Sequence, residues 1–337
     1  MAVTRLTDLI IPTIFAKDYL EETMVKAKVF QSGLVVNDPL MSELCAANMG
    51  NIFNVPFYKD LADTESNISS DDPAVLATPT NITTGQDIAN KHVRNQAWGT
   101  MDLQAALASS DPMGKIKSRV SNYWARQFNK HAIATLSGIL ASNVANNAGD
   151  MVKNVATDAV GAPAATELMS AGLILDAKQT MGDAADMLGI LMVHSVVRTN
   201  LQKLNLITTI PSSEGVIGFE TYLGYRLVVD DNLPAVAGVN RVTYTSVLAA
   251  PGVLKFGNGA PLNPVEVYRL PLAGNGEGQE TLITRNHYAL HPAGIKWTSA
   301  AMAGKSPTWA EIATAANWSR VYPERKQIAL AFLQTNG

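Results

Sequence analysis

The sequence predicts an α+β fold, and three observations carry that reading. One stretch, Asp111 to about Asn143, has the periodicity of a single long helix. From Ala164 to Val229 helical and strand-like runs follow one another, and a hairpin and a last strand come later. Residues 51–94 read as a long two-stranded excursion, too polar to hold a core of its own.

The long helix organises the rest. Asp111-Pro112 places a side-chain cap before proline at the first helical position. Apolar or aromatic residues recur every fourth position at Ile116, Val120, Trp124, Phe128, Ala132, Leu136 and Leu140, with Tyr123, Ile133 and Ile139 on neighbouring rows. Lys115, Lys117, Ser118, Ser121, Asn122, Arg126 and Asn129 form the polar side. Such a helix spans roughly 45–50 Å, about the width of a domain. A strict four-residue spacing drifts around a 3.6-residue helix, so the stripe winds and should meet a sheet or more than one partner.

Composition narrows the function. The chain has 337 residues, 47% of them hydrophobic, enough for one large domain or two to three smaller ones. Only 16% are charged, and 26 Lys and Arg against 29 Asp and Glu leave a net charge of -3. Low charge suits a surface covered by neighbours, although a modest enzyme could share it. A mildly acidic chain without a basic run has little electrostatic drive to grip nucleic acid, which disfavours nucleic-acid recognition as the primary role. The single cysteine, Cys45, rules out an intrachain disulfide and fits a reducing cytoplasm. In Leu44-Cys45-Ala46-Ala47 it reads as a small buried apolar residue. No window of about 18 apolar residues occurs, and the N-terminus lacks a signal-peptide pattern, so neither export nor a membrane span is expected.

In chain order, residues 1–50 look like an arm, with a helix near Ala16 to Lys28 and another from Pro39 to a stop at Asn48-Met49-Gly50. Short helices so separated must lie on the body of the chain or on a neighbour. Asn51 to Tyr58 reads as a strand. Asp60, Asp63, Glu65, Asp71 and Asp72 then sit among serines, asparagines and prolines before Val75-Leu76 and Ile82-Thr83-Thr84 regain strand character. An arm reaching an adjacent subunit and a solvated surface loop fit this excursion equally well. Thr100 to Ala108 reads as a short helix, and Asn143 to Pro163 as a loop with a short strand. Ala164 to Met181 is helical, Leu188 to His194 is a strand buried on both faces, Ser195 to Leu204 is helical, and Tyr225 to Val229 is a strand before a turn at Asp230 to Pro234. Val265 to Leu270 and Thr281 to Tyr288 form a hairpin, Thr308-Trp309-Ala310-Glu311 is a capping box, and Gln327 to Leu333 is the last strand.

No active site emerges. Gly274, Gly276 and Gly278 superficially suggest a phosphate cradle, yet Thr281-Leu282-Ile283-Thr284 favours a strand where a phosphate loop needs a helix N-terminus. His287 and His291 have a metal-sharing spacing only on a helix; Pro292 and the preceding strand make the segment extended, which puts them about 13 Å apart. His92, His131 and His194 are expected to be ordinary surface or half-buried residues. Asp183, Asp186, Asp230 and Asp231 could pair as acids, but in loops they read as solvated or capping. Tyr123 and Trp124 belong to the core or an interface. No catalytic, cofactor-binding or metal residue and no cofactor is assigned.

Several short stretches carry a resemblance. Leu6-Thr7-Asp8-Leu9-Ile10, Pro56-Phe57-Tyr58-Lys59-Asp60-Leu61, Asp111-Pro112-Met113, Tyr123-Trp124-Ala125-Arg126, His291-Pro292-Ala293-Gly294-Ile295, Asn317-Trp318 and Thr335-Asn336-Gly337 occur in an order and spacing that resembles the HK97-type major capsid proteins of tailed bacteriophages. The resemblance implies an N-terminal arm at 1–50, an E-loop at 51–97, a peripheral domain at 98–163 with spine helix 111–143, an axial domain at 164–262, and returning strands at 263–337. It further implies hexamers and pentamers closing into an icosahedral virion shell around double-stranded DNA, without sequence-specific binding or a membrane. Assembly is expected in the host cytoplasm, with a portal. Because the chain reaches its arm within about ten residues of Met1, scaffolding is expected from a separate protein. Lys59 lies at the base of the E-loop, but no local motif identifies an asparagine and acid partner, so cross-linking is not expected. Two alternatives stay open: an encapsulin-like shell around an enzyme cargo, and a soluble α+β enzyme.

Overall fold

The computed structural model describes residues 32–47, 50–61, 64–103, 112–204, 207–211 and 217–337. The expected helix over 16–28, the Leu6–Ile10 start and the Asp111 cap lie outside the described residues. Strand β1 (Val35–Asn37) and helix α1 (Pro39–Ala46) lead into a two-stranded ribbon of β2 (Ile52–Tyr58) and β3 (Thr84–Met101). Helix α2 (Pro112–Asn146) follows, then β4 (Val152–Asn154), α3 (Ala171–Gln179), β5 (Ile190–Val193), α4 (Ser195–Lys203), β6 (Ile207–Pro211), β7 (Ile217–Tyr222), β8 (Tyr225–Val229), β9 (Ala235–Ala237) and β10 (Val242–Ala249). The chain continues through β11 (Leu254–Asn258), β12 (Val265–Leu270), β13 (Gln279–Pro292), β14 (Ile295–Trp297), α5 (Trp309–Ile312), β15 (Trp318–Arg320) and β16 (Leu330–Thr335).

Two large sheets result. The six-stranded one runs β1-β11-β13-β3-β2, with β12 also on β13; the eight-stranded one runs β4-β16-β10-β5-β8-β7-β6, with β9 on β10. The apolar run at Ile190–Val193 is a strand buried on both faces, because alternate side chains enter different cores. Ile190 and Met192 join the cluster that contains α2, whereas Leu191 and Val193 join one built on Ile174, Ala177, Val197 and Leu201 of α3 and α4. Strands β10 and β16 divide their residues in the same way.

Helix α2 meets both sheets, as its winding stripe predicts. Val120, Trp124, Phe128, Ala132, Leu136 and Ile139 share one cluster with Val247 and Phe332 of the larger sheet and with Phe256, Leu282 and Leu290 of the smaller. Trp124 Nε1 donates to Thr284 Oγ1 at 3.0 Å, and the Phe128 ring lies edge-on to Tyr288 with centroids 4.7 Å apart. The polar side is narrower than its sequence suggests. Ser121 and Asn129 are buried, and Asn129 Nδ2 donates to Asp230 Oδ2 across to the turn after β8.

Other expectations shift for local reasons. Residues 35–46, read as the end of an arm, belong to the body. Strand β1 pairs in parallel with β11, and α1 packs Met41 and Cys45 against Phe53, Ala89 and Ala289. The close approach needs glycine, since a Cβ on Gly257 would lie 2.6 Å from the Met41 backbone. Burial pushes the Cys45 thiol up to about 11, in keeping with an unreactive core residue. Where a helix was expected from Thr100, β3 runs on to Met101, held by pairing with Gln279, and the helical turn begins at Asp102. The helix expected from Ala164 starts at Ala171, where Ser170 caps it by accepting from Leu173 N. Val75, Leu76 and Ile82 lie outside any strand. The hairpin β12–β13 and the Thr308–Glu311 capping box form as read.

The close packing of α2 yields a prediction. A Cβ on Gly138 would collide with Ile312 O and with the Trp318 indole, which itself donates to Ile312 O at 2.6 Å. Helix propensity alone would make Gly138→Ala stabilising by about 1 kcal/mol. Overpacking should win, giving a net loss of about 1–3 kcal/mol in urea unfolding of the subunit. A gain in stability would contradict the packing described.

Candidate assembly interface

The ribbon is firmly anchored at its base and unsupported at its tip. At the base, β3 is paired along one edge with β2 from Thr84 to Asn90 and along the other with β13 from Lys91 to Met101. Asp87 is buried there, accepting from His291 Nε2 at 2.8 Å and from Gly294 N at 3.2 Å. Phe57 lies over Gly85 and meets the Tyr322 ring edge-on at 5.3 Å. Val93 N donates to Ser306 Oγ, and the Arg94 guanidinium donates to Pro307 O.

Beyond Tyr58 the support ends. Lys59 N donates to Thr83 O at 2.8 Å, and the printed bonds of the described residues between them are local turns such as Asp72 Oδ1 accepting from Ala74 N. Ile68 is 90% exposed and Leu76 84%, with Val75 and Leu61 also well exposed. Isolated exposed aliphatics are ordinary, but this group sits on a segment with no packing beneath it, the signature of a surface waiting for cover.

The groups that could have carried chemistry are otherwise employed. Asp183 is ion-paired with Lys326 at 2.6 Å and Asp186 with Lys178 at 2.8 Å; hydrogen bonds from these lysines hold both carboxyls below the usual range. Asp230 accepts from Asn129 and Asn232, and Asp231 Oδ1 accepts from Ser195 N at the start of α4. Gly274, Asn275, Gly276 and Gly278 all have positive φ in the turn between β12 and β13, and a strand follows them where a phosphate site needs a helix. His287 and His291 share the extended strand β13, and His291 is taken up by Asp87. Among the described residues, no three His, Cys, Asp or Glu side chains are grouped to hold a metal.

Two histidines depart from expectation. His92 and His131, read as surface or half-buried, are buried with ring centroids 4.1 Å apart, and His131 Nδ1 lies 3.0 Å from Tyr288 OH. Their register explains this: His92 pairs with Tyr288 across β3 and β13, and α2 brings His131 onto that face. Burial holds the His131 imidazole down to about 3, with the Arg94 guanidinium acting in the same direction. His92 is pushed well below the histidine range by burial, then by His131 and Arg94. Burial likewise raises the Tyr288 phenol. His194, by contrast, caps α4, its Nδ1 accepting from Val196 N.

The arrangement is that of a shell subunit, a packed body that presents an extended ribbon, and its relatives have that architecture. The capsid of Ralstonia phage GP4 matches with a TM-score of 0.56 at 11% identity, over 93% of this chain and 92% of that one. The capsid of a native GTA particle matches at 0.53 and 15% identity, over 94% and 91%. The fold is thus the HK97-like capsid fold. In sequence, the chain is 35% identical over 328 residues to the major capsid protein of Bacillus phage SPP1, covering 97% of this chain and 96% of that one. Residues 45–329 match the Gp13-like family, described as major capsid protein 13-like, and the chain belongs to that family. It is a structural subunit of a phage virion shell, which sets aside both the enzyme and the encapsulin readings.

The buried histidines make stability sensitive to acid. The folded chain keeps them neutral, while the unfolded chain takes up protons near 6.5, so stability is full above that pH and is lost as pH falls toward about 3. Each contributes a slope of roughly 1.4 kcal/mol per pH unit. Between pH 6.5 and 5, His131→Gln should unfold with a shallower pH dependence than the natural chain in urea titrations. An unchanged slope would show that His131 is protonated in the folded subunit.

Proposed function

We propose that this subunit assembles as hexamers and pentamers into an icosahedral head enclosing double-stranded DNA, and that the ribbon is the element that ties neighbours together. In this reading residues 1–50 supply an N-terminal arm whose last part is fixed to the body, 51–97 the E-loop, 98–163 a peripheral domain on the spine helix, 164–262 an axial domain, and 263–337 the returning strands. The single observation that carries it is the ribbon itself, anchored through β3, Asp87 and Phe57 and bare beyond Tyr58. Covering Ile68 or Leu76 on a neighbour would contribute roughly 1.5–3 kcal/mol each, small alone and large when repeated around a closed shell.

The reading assigns no catalytic residue, cofactor or metal to the chain. It takes a portal and a separate scaffolding protein as further partners, and places assembly in the host cytoplasm. The low charged fraction, 16%, and the net charge of -3 support a wall that contains DNA without clamping it.

Deleting Asp63 to Asp72 at the ribbon tip should leave a folded subunit, with unchanged circular dichroism and urea midpoint, and reduce closed shells at least tenfold by gradient sedimentation and electron microscopy. If the shortened chain assembles as well as the natural one, the ribbon is not the tie.

A further inference from the structure

We propose that the outer face of helix α2 is the seat for the acidic ribbon tip of a second copy of this chain. The inference rests on the shell reading above and names the surface that the ribbon engages. Lys115, Arg119, Asn122, Arg126 and Lys130 are all exposed, and their spacing puts them on one face of α2. The stripe is about 22 Å long. The 35 residues of α2 contain no Asp or Glu. Among the described residues none of these four cations has an ion-pair partner. Elsewhere on the body Lys and Arg side chains sit in pairs, from Lys153–Asp176 and Arg198–Glu220 to Arg320–Asp150 and Lys326–Asp183. The stripe also has an aromatic border, since Lys130 Nζ lies 5.5 Å from the centre of the partly exposed Trp309 ring.

The ribbon tip is its complement. Asp60, Asp63, Glu65, Asp71 and Asp72 carry the charge, and no Lys, Arg or His occurs from Asp60 to Asn90. Asp60, Glu65, Asp71 and Asp72 are exposed. None of these four is ion-paired among the described residues; Asp60 and Asp72 accept only from the nearby amides of Leu61 and Ala74. One subunit thus displays two unmatched surfaces of opposite sign, each mixed with apolar or aromatic groups, and does not pair them internally. A second copy matches both at once, and like-charged tips and like-charged stripes repel wrong pairings. A nucleic-acid backbone would satisfy the stripe but leave the carboxylates and aliphatics of the tip uncovered.

Charge reversal tests the pairing, in full-length chains that complement a phage lacking its capsid gene. One set carries Arg119→Glu with Arg126→Glu; the other carries Glu65→Lys, Asp71→Lys and Asp72→Lys. Each alone should lower the yield of closed shells at least tenfold, and the two combined should return it to within threefold of the natural chain. Normal assembly by either set, or a combination no better than its worse member, overturns the proposal. So does a helix set that forms normal shells with reduced DNA, which would assign the stripe to nucleic acid. If the Glu pair does not fold, Arg119→Gln with Arg126→Gln should still cost about threefold in shell yield, and no loss overturns the proposal. The Asp63–Asp72 deletion separates the two levels of the argument. If that deletion blocks assembly while the charge sets assemble normally, only the stripe assignment falls; if the deletion itself assembles normally, the ribbon reading falls with it.

Discussion

Helix α2 supplies one wall of the core that both large sheets share, and the rest of the subunit depends on that contact. Trp124 and Phe128 fix the smaller sheet through Thr284, Phe256 and Tyr288, and the same cluster takes in Ile190, Met192 and Phe332 of the larger sheet. Close packing makes such a wall stiff, because side chains that interdigitate at interior density cannot shift singly. The ribbon inherits this stiffness. Its long strand β3 is paired to β13, and β13 lies against the helix through Leu282, Tyr288 and Leu290.

A division of labour follows within one chain. The body satisfies itself: it has apolar cores on both sides of the larger sheet, most of its surface cations are ion-paired, and its loop carboxylates are engaged as caps or pairs. The ribbon tip and the outer face of α2 are not satisfied, and both lie where burial inside the same subunit does not reach them. Individually weak contacts of this kind suit a shell, since a closed lattice multiplies them while each remains reversible during assembly.

Much of this was legible in the sequence, and the misses have physical causes. The four-residue spacing from Ile116 to Leu140 marked α2 because the period survives over many turns. The run Leu188–His194 marked β5 because a strand covered on both faces has no polar alternation to confuse with a helix. Strand β10 was not read, for Val242-Thr243-Tyr244-Thr245-Ser246 hides its pattern in small polar residues that pairing with β16 and β5 buries. His92 and His131 could not be joined from sequence, since only the pairing of β3 with β13 and the docking of α2 bring them together. The cationic stripe was present as Lys115, Arg119, Arg126 and Lys130, but a search for consecutive charges passes over residues set one turn apart.

The central claim is that residues 59–83 lack cover in the free subunit and gain it from neighbours in the shell. Amide hydrogen exchange, followed by mass spectrometry on free subunits and on closed shells, measures that cover directly. The account predicts fast exchange across 59–83 in the subunit and slowing of at least a hundredfold in the shell, while β10 and β16 are protected in both. Equal, fast exchange of 59–83 in the two states would contradict it and leave the ribbon tip as a solvated loop.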